Sequence, residues 1–126
     1  MTVQTNILKL GRLDTVVSFN GTGSATFTLA TCAKADESVA SPVVNIHKIK
    51  WSSGAATGTS SVITITRGGI PLYQLNNSFE FDLSGSGDPT QNTADIVVNL
   101  GTSPATLVLS LAKVGGFTPP FTNVGV

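Results

Sequence analysis

The stretch Val62-Ile63-Thr64-Ile65-Thr66-Arg67-Gly68-Gly69-Ile70-Pro71-Leu72-Tyr73-Gln74-Leu75 decides the fold class. Ile63 and Ile65 alternate with Thr64 and Thr66, which is the period of a strand with one buried and one wet face. Gly68-Gly69 can adopt positive φ at both central positions of a tight turn, so the chain returns through residues 71–75 as the second strand of a hairpin.

The same pattern recurs in both directions. Toward the C-terminus, residues 79–83 set Phe79, Phe81 and Leu83 against Glu80 and Asp82. Residues 95–100 bury Ile96, Val98 and Leu100, and residues 106–114 bury Leu107, Leu109 and Leu111. Toward the N-terminus, residues 3–10 centre on Ile7 and Leu8, residues 13–19 align Leu13, Thr15, Val17 and Phe19, and residues 25–29 align Ala25, Phe27 and Leu29. Asn20-Gly21 predicts a hairpin between these last two strands. In residues 43–51 both faces carry apolar side chains, and the side of Ile49 and Trp51 is taken as the inner one. Residues 33–41 read as a loop closed by Pro42, and residues 52–60, built from Gly, Ala, Ser and Thr, as a surface loop. Eight or nine short strands at this spacing predict an all-β chain, a single antiparallel β-sandwich that is jelly-roll-like or immunoglobulin-like. Residues 1–126 form one domain, with an N-terminal arm over about 1–10 and an extended C-terminal tail over about 115–126. Pro119 and Pro120 offer no ladder donors to a central strand there.

Only 11% of the 126 residues are charged while 40% are hydrophobic, so the surface is built from Thr, Ser, Asn and Gly. Seven basic and seven acidic residues cancel. No Lys/Arg run exceeds the spaced pair Lys48 and Lys50, which excludes a phosphate-tracking groove and predicts no nucleic-acid partner. No stretch approaches the ~18 apolar residues of a membrane helix, and the first residues lack a charged-then-apolar leader. The expectation is folding in the cytosol with no membrane partner.

His47 is the one histidine and Cys32 the one cysteine. A Ser-His-Asp constellation would need His47 as base, but it sits in a strand among Ile46, Lys48 and Ile49, and there is no Gly-x-Ser-x-Gly elbow. Glu80 and Asp82 share a strand face, yet no aromatic cluster accompanies them to cradle a sugar. The oxygen-rich loop 84–95 matches no EF-hand spacing. Gly21-Thr22-Gly23 and Gly85-Ser86-Gly87 lack the lysine and the following helix that phosphate cradling needs. Cys32, flanked by Leu29, Ala30 and Ala33, reads as a small buried hydrophobe. The chain is therefore expected to be no enzyme, with no catalytic residues, no cofactor and no metal. The residues that suggest binding are Ile7 and Leu8 in the arm, Arg67 at a strand end, and Phe117, Pro119, Pro120 and Phe121 in the tail.

Residues 5–14 (Thr5-Asn6-Ile7-Leu8-Lys9-Leu10-Gly11-Arg12-Leu13-Asp14), 46–51, 62–67, 79–82 and 92–98 together resemble small virion proteins of tailed bacteriophages. The likeness is to the capsid decoration or cement class, including that of podovirus-type and cyanobacterial phages. The resemblance implies a homo-oligomeric β-sandwich, a trimer being favoured, that binds the major capsid protein on the outside of the head and stiffens the shell. It implies a place on the virion surface after synthesis in the host cytoplasm. The alternative on the same fold is a carbohydrate- or receptor-binding module of a tail fibre or spike.

Overall fold

A computed structural model describes residues 3–53, 62–75, 78–82 and 92–118. Nine strands run in chain order: β1 Gln4–Leu10, β2 Asp14–Gly21, β3 Ser24–Phe27, β4 Ser38–Ser53, β5 Ile63–Arg67, β6 Ile70–Leu75, β7 Ser78–Asp82, β8 Ile96–Asn99 and β9 Ala105–Thr118. A 3-10 turn over Leu29–Cys32 is the one helical element among the described residues.

The expected hairpin is the tip of the whole structure. β5 and β6 pair across Gly68 and Gly69, at φ 59° and 78°. Behind that tip the chain pairs with itself in nested order: β4 with β7, β3 with β8, β2 with β9, all antiparallel. One long hairpin is thus rolled up, and the roll closes through β4–β9 and β5–β8 pairing. Two sheets result, ordered β1-β2-β9-β4-β7 and β3-β8-β5-β6. Without β1 these are the two four-stranded sheets of a jelly roll, which decides between the two architectures the strand pattern allowed.

The core lies between the sheets. Val17, Phe19, Ile46, Ile49, Leu107 and Leu109 from one sheet meet Ile63, Ile65, Ile96 and Val98 from the other, all fully buried. Phe19 and Phe27 span the sheets edge to face, with centroids 6.2 Å apart at 87°.

Several expectations are corrected. Asn20-Gly21 does not close a hairpin: β2 and β3 belong to different sheets. The crossover at Gly21–Gly23 instead bonds to the β8–β9 turn, Gly23 N–H to Gly101 O at 2.9 Å and Leu100 N–H to Gly23 O at 2.8 Å. Neither single face of residues 43–51 is the inner one. A register shift between Ile46 and Lys48 puts Val44 and Ile46 inward before His47, and Ile49 and Trp51 inward after it. Residues 38–41 are not loop but the start of β4. Leu13, read as inward, is 80% exposed because it lies in the β1–β2 turn, before β2 enters the sheet.

The termini are corrected as well. Residues 4–10 are a paired strand, not a free arm. Residues 115–118 continue β9, with Phe117 opposite Val39 and Thr118 opposite Ser38. This continuation needs Gly116, whose φ is +83° and whose missing Cβ would lie 2.5 Å from the Pro42 Cα.

Candidate functional site

β1 is the free edge of the larger sheet, and it overhangs the core. Directly opposed residues of an antiparallel pair share a face. Thr5 opposes Phe19 and Ile7 opposes Val17. Both β2 partners are fully buried, yet Thr5 and Ile7 are exposed, so the smaller sheet stops short of covering β1. Ile7 is 39% and Leu8 60% exposed. Leu8 sits in a bulge, where the register shifts between Ile7 and Lys9. A bulge and a lysine protect an edge against indiscriminate strand addition, which leaves residues 4–7 as the flat stretch open to a partner of matching shape. Sequence reasoning picked out Ile7 and Leu8, and the structure puts both on this edge.

Arg67 belongs elsewhere. It is fully buried, which corrects its reading as a solvated strand-end residue that could meet a neighbouring chain. Its guanidinium donates to Val44 O at 2.7 Å, to Ala94 O at 3.0 and 2.8 Å, and to Asn92 O at 3.1 Å. Val44 is in the other sheet, so Arg67 fastens the two layers together. The signal was in the sequence: Arg67 is the next inward position after Ile63 and Ile65.

Phe117 is half-buried against the core with the Lys113 ammonium 4.6 Å from its ring centre, so it is not an extended-tail residue. Pro119, Pro120 and Phe121 lie outside the described residues. Of the proposed binding residues, Ile7 and Leu8 alone lie on the same sheet edge among those described.

Where β1 turns into β2, a charged cluster went unforeseen. Glu37 is buried and accepts from the Lys113 ammonium at 2.6 Å and from the Lys34 backbone N–H at 2.7 Å. Lys113 also donates to Gly11 O at 2.9 Å. Arg12 grips Asp36 through both terminal nitrogens at 3.2 and 2.7 Å, and lies 3.6 Å from Glu37. Burial pushes the Glu37 carboxyl up, but the hydrogen bonds and the charges of Lys113 and Arg12 outweigh it and hold the group below its ordinary range. These contacts join the β1–β2 turn, the segment before β4, and β9.

On the outer face of the larger sheet, Glu80 lies between Lys48 at 3.2 Å and Lys50 at 3.6 Å. Glu80 and Lys50 line an open depression of about 240 Å3, which shares Ser52 and Thr106 with a second one of about 300 Å3. His47 is exposed on β4. Among the described residues no three His, Cys, Asp or Glu side chains gather as metal ligands. Cys32 is buried in the core, and desolvation raises its thiol above the ordinary value despite the nearby Thr15 hydroxyl and the charges of Lys113 and Arg67.

No family model and no curated protein matches the chain. Among solved structures, it is similar to a cupin domain from Bordetella pertussis Tohama I, with a TM-score of 0.43 and 9% identity over 90% of this chain and 94% of that one.

Proposed function

We propose that this chain is a non-enzymatic virion structural protein that binds the major capsid protein on the outside of a phage head and decorates or cements the shell. The observation that carries the reading is the overhanging edge strand β1, exposed on both faces and presenting Ile7 and Leu8 at the outer edge of the larger sheet. A partner strand or loop laid against such an edge gains main-chain hydrogen bonds, and the alternating side chains select it. Repetition over a lattice then multiplies modest contacts by avidity. The low charge of the chain and the sequence resemblance favour the same reading.

The test is to mix the purified chain with heads of the phage whose genome encodes it, sediment them, and count bound copies per head. Saturation at hundreds of copies supports lattice decoration, and Ile7→Asp, in the flat part of the edge, then weakens binding by about tenfold or more, as expected for a central apolar contact. A handful of copies points to a vertex or tail fitting. No binding sinks the proposal and brings forward the receptor-binding module.

A further inference from the structure

The register of the larger sheet sets two rows of side chains on its outer face. Asn20 of β2, Thr106 of β9 and Ser52 of β4 stand opposite one another in the first row. Val108 of β9, Lys50 of β4 and Glu80 of β7 do so in the second. Opposed residues share a face, and these positions alternate with the buried Phe19, Leu107 and Trp51, so the rows point away from the core. The two depressions of about 240 and 300 Å3, which share Ser52 and Thr106, lie along this strip. From β2 to β7 it crosses three strand spacings, about 14 Å.

The chemistry of the strip narrows what fits it. The Thr106 hydroxyl donates to Asn20 Oδ1 at 2.7 Å, a bond that leaves the Asn20 amide hydrogens for a ligand. Glu80 takes the Lys48 ammonium at 3.2 Å and that of Lys50 at 3.6 Å. An anion would meet the carboxylate and a cation the two ammoniums, so a neutral ligand is favoured. An extended peptide gains its affinity from free ladder groups at a sheet edge. Here β2, β9 and β4 have neighbours on both sides, and the strip runs across them, so side chains alone are on offer. Mixed donors and acceptors around Val108 suit a molecule with C–H faces and hydroxyl edges that both give and take hydrogen bonds.

We infer that this strip is a binding site for a short neutral oligosaccharide. The inference goes beyond head binding and does not depend on it, because residues 4–7 of the β1 edge take no part. Glu80 lacked companions suited to a sugar when read along its own strand, and the register supplies Lys50, Ser52 and Thr106 from elsewhere in the chain. Trp51, the aromatic residue lining the strip, is 8% exposed and offers little face to stack on, so the affinity is expected to be millimolar.

The test is a titration of the 15N-labelled full chain, without heads, with cellotriose, maltotriose and triacetylchitotriose, read as amide chemical shifts. The expected result is saturation by at least one of these probes, with shifts centred on residues 50–52 and 106–108. Thr106→Val and Glu80→Gln should each weaken that binding by about threefold or more, the loss of one hydrogen-bonding group. Both positions are exposed, so circular dichroism and the melting temperature stay unchanged. Lys9→Gln, on β1, leaves the affinity as it was. Silence of all three probes overturns the inference, as does a response limited to a sulfated disaccharide, a saturable shift centred elsewhere, or unaltered affinity in the two folded variants. Variants that lose heads while no sugar binds the wild type assign the strip to the capsid interface and overturn it too. Sugar binding by a chain that ignores heads upholds it while sinking the capsid proposal.

Discussion

Arg67 shows how one residue changes the account of what holds the layers together. A fully buried guanidinium is tolerated because it meets main-chain carbonyls from both sides of the sandwich, Val44 O on one and Ala94 O on the other, and adds a second donor to Asn92 O, which also accepts from the Val44 N–H at 3.0 Å. Arg67→Met strands those carbonyls and is expected to lower stability by at least about 3 kcal/mol in urea unfolding. Arg67→Lys should recover little of it, because a single ammonium cannot reproduce the planar fork. A near-wild-type midpoint for Arg67→Lys would contradict this role. The period-2 pattern pointed Arg67 inward, and only its charge argued otherwise. Which carbonyls it meets was not legible, because they come from Val44, Asn92 and Ala94, far away along the chain. Thr15 belongs to the same scale: its buried hydroxyl oxygen has no partner in hydrogen-bond geometry among the described residues. Thr15→Val is expected to be neutral or to stabilise the fold by about 1 kcal/mol, read from the same urea midpoint.

At the scale of elements, strand interiors were readable and their joints were not. Ile63, Ile65, Ile96, Val98, Leu107 and Leu109 are buried as alternation required, because a strand's period is local. The bulge after Ile46 inverts the faces of β4 midway, and no local pattern marks it. The passage of β4 over Gly116 is also non-local. Gly116→Ala places a Cβ against Pro42, Ser41 and Ala40 at a positive φ, and should cost about 2 kcal/mol or more in thermal or urea unfolding. Gly115→Ala, with nothing within 4 Å of its Cβ, is the matched control and should cost little. The Glu37–Lys113 pair ties three elements at one end of the sheet. The folded carboxyl titrates below its unfolded value, so its contribution is complete above about pH 4.3 and is lost as pH falls through the lower folded value. The melting temperature should therefore hold from pH 7 to 5 and fall below about pH 4. Glu37→Gln leaves Lys113 buried without its counter-charge, costing about 3 kcal/mol at neutral pH and flattening that acid limb.

At the scale of the molecule, the nested pairing explains how a sequence this rich in Thr, Ser and Gly folds with the 3-10 turn Leu29–Cys32 as the one helical element among its described residues. From β2 onward, each strand before the Gly68-Gly69 turn pairs, in mirrored order, with a strand after it, so the strands nest about one local hairpin. β1 stands outside this scheme, the one strand with no place in the eight-stranded roll. It adds an edge that the core does not need and does not cover, and a strand so placed is available to another molecule. Ile7 and Leu8 were legible as the apolar centre of the first strand because they lie in an apolar run near the chain start. Their place on an overhanging edge was not, since it depends on where the opposite sheet ends.

Amide hydrogen exchange of β1, with and without the phage heads proposed as its partner, tests the central claim most directly. The account predicts that the backbone N–H groups of residues 4–7 left free by β2 exchange quickly in the isolated protein and slow by at least about tenfold on bound copies, while β5 and β8 are unchanged. Bound copies in which β1 still exchanges at its free rate, with protection arising elsewhere, would contradict it.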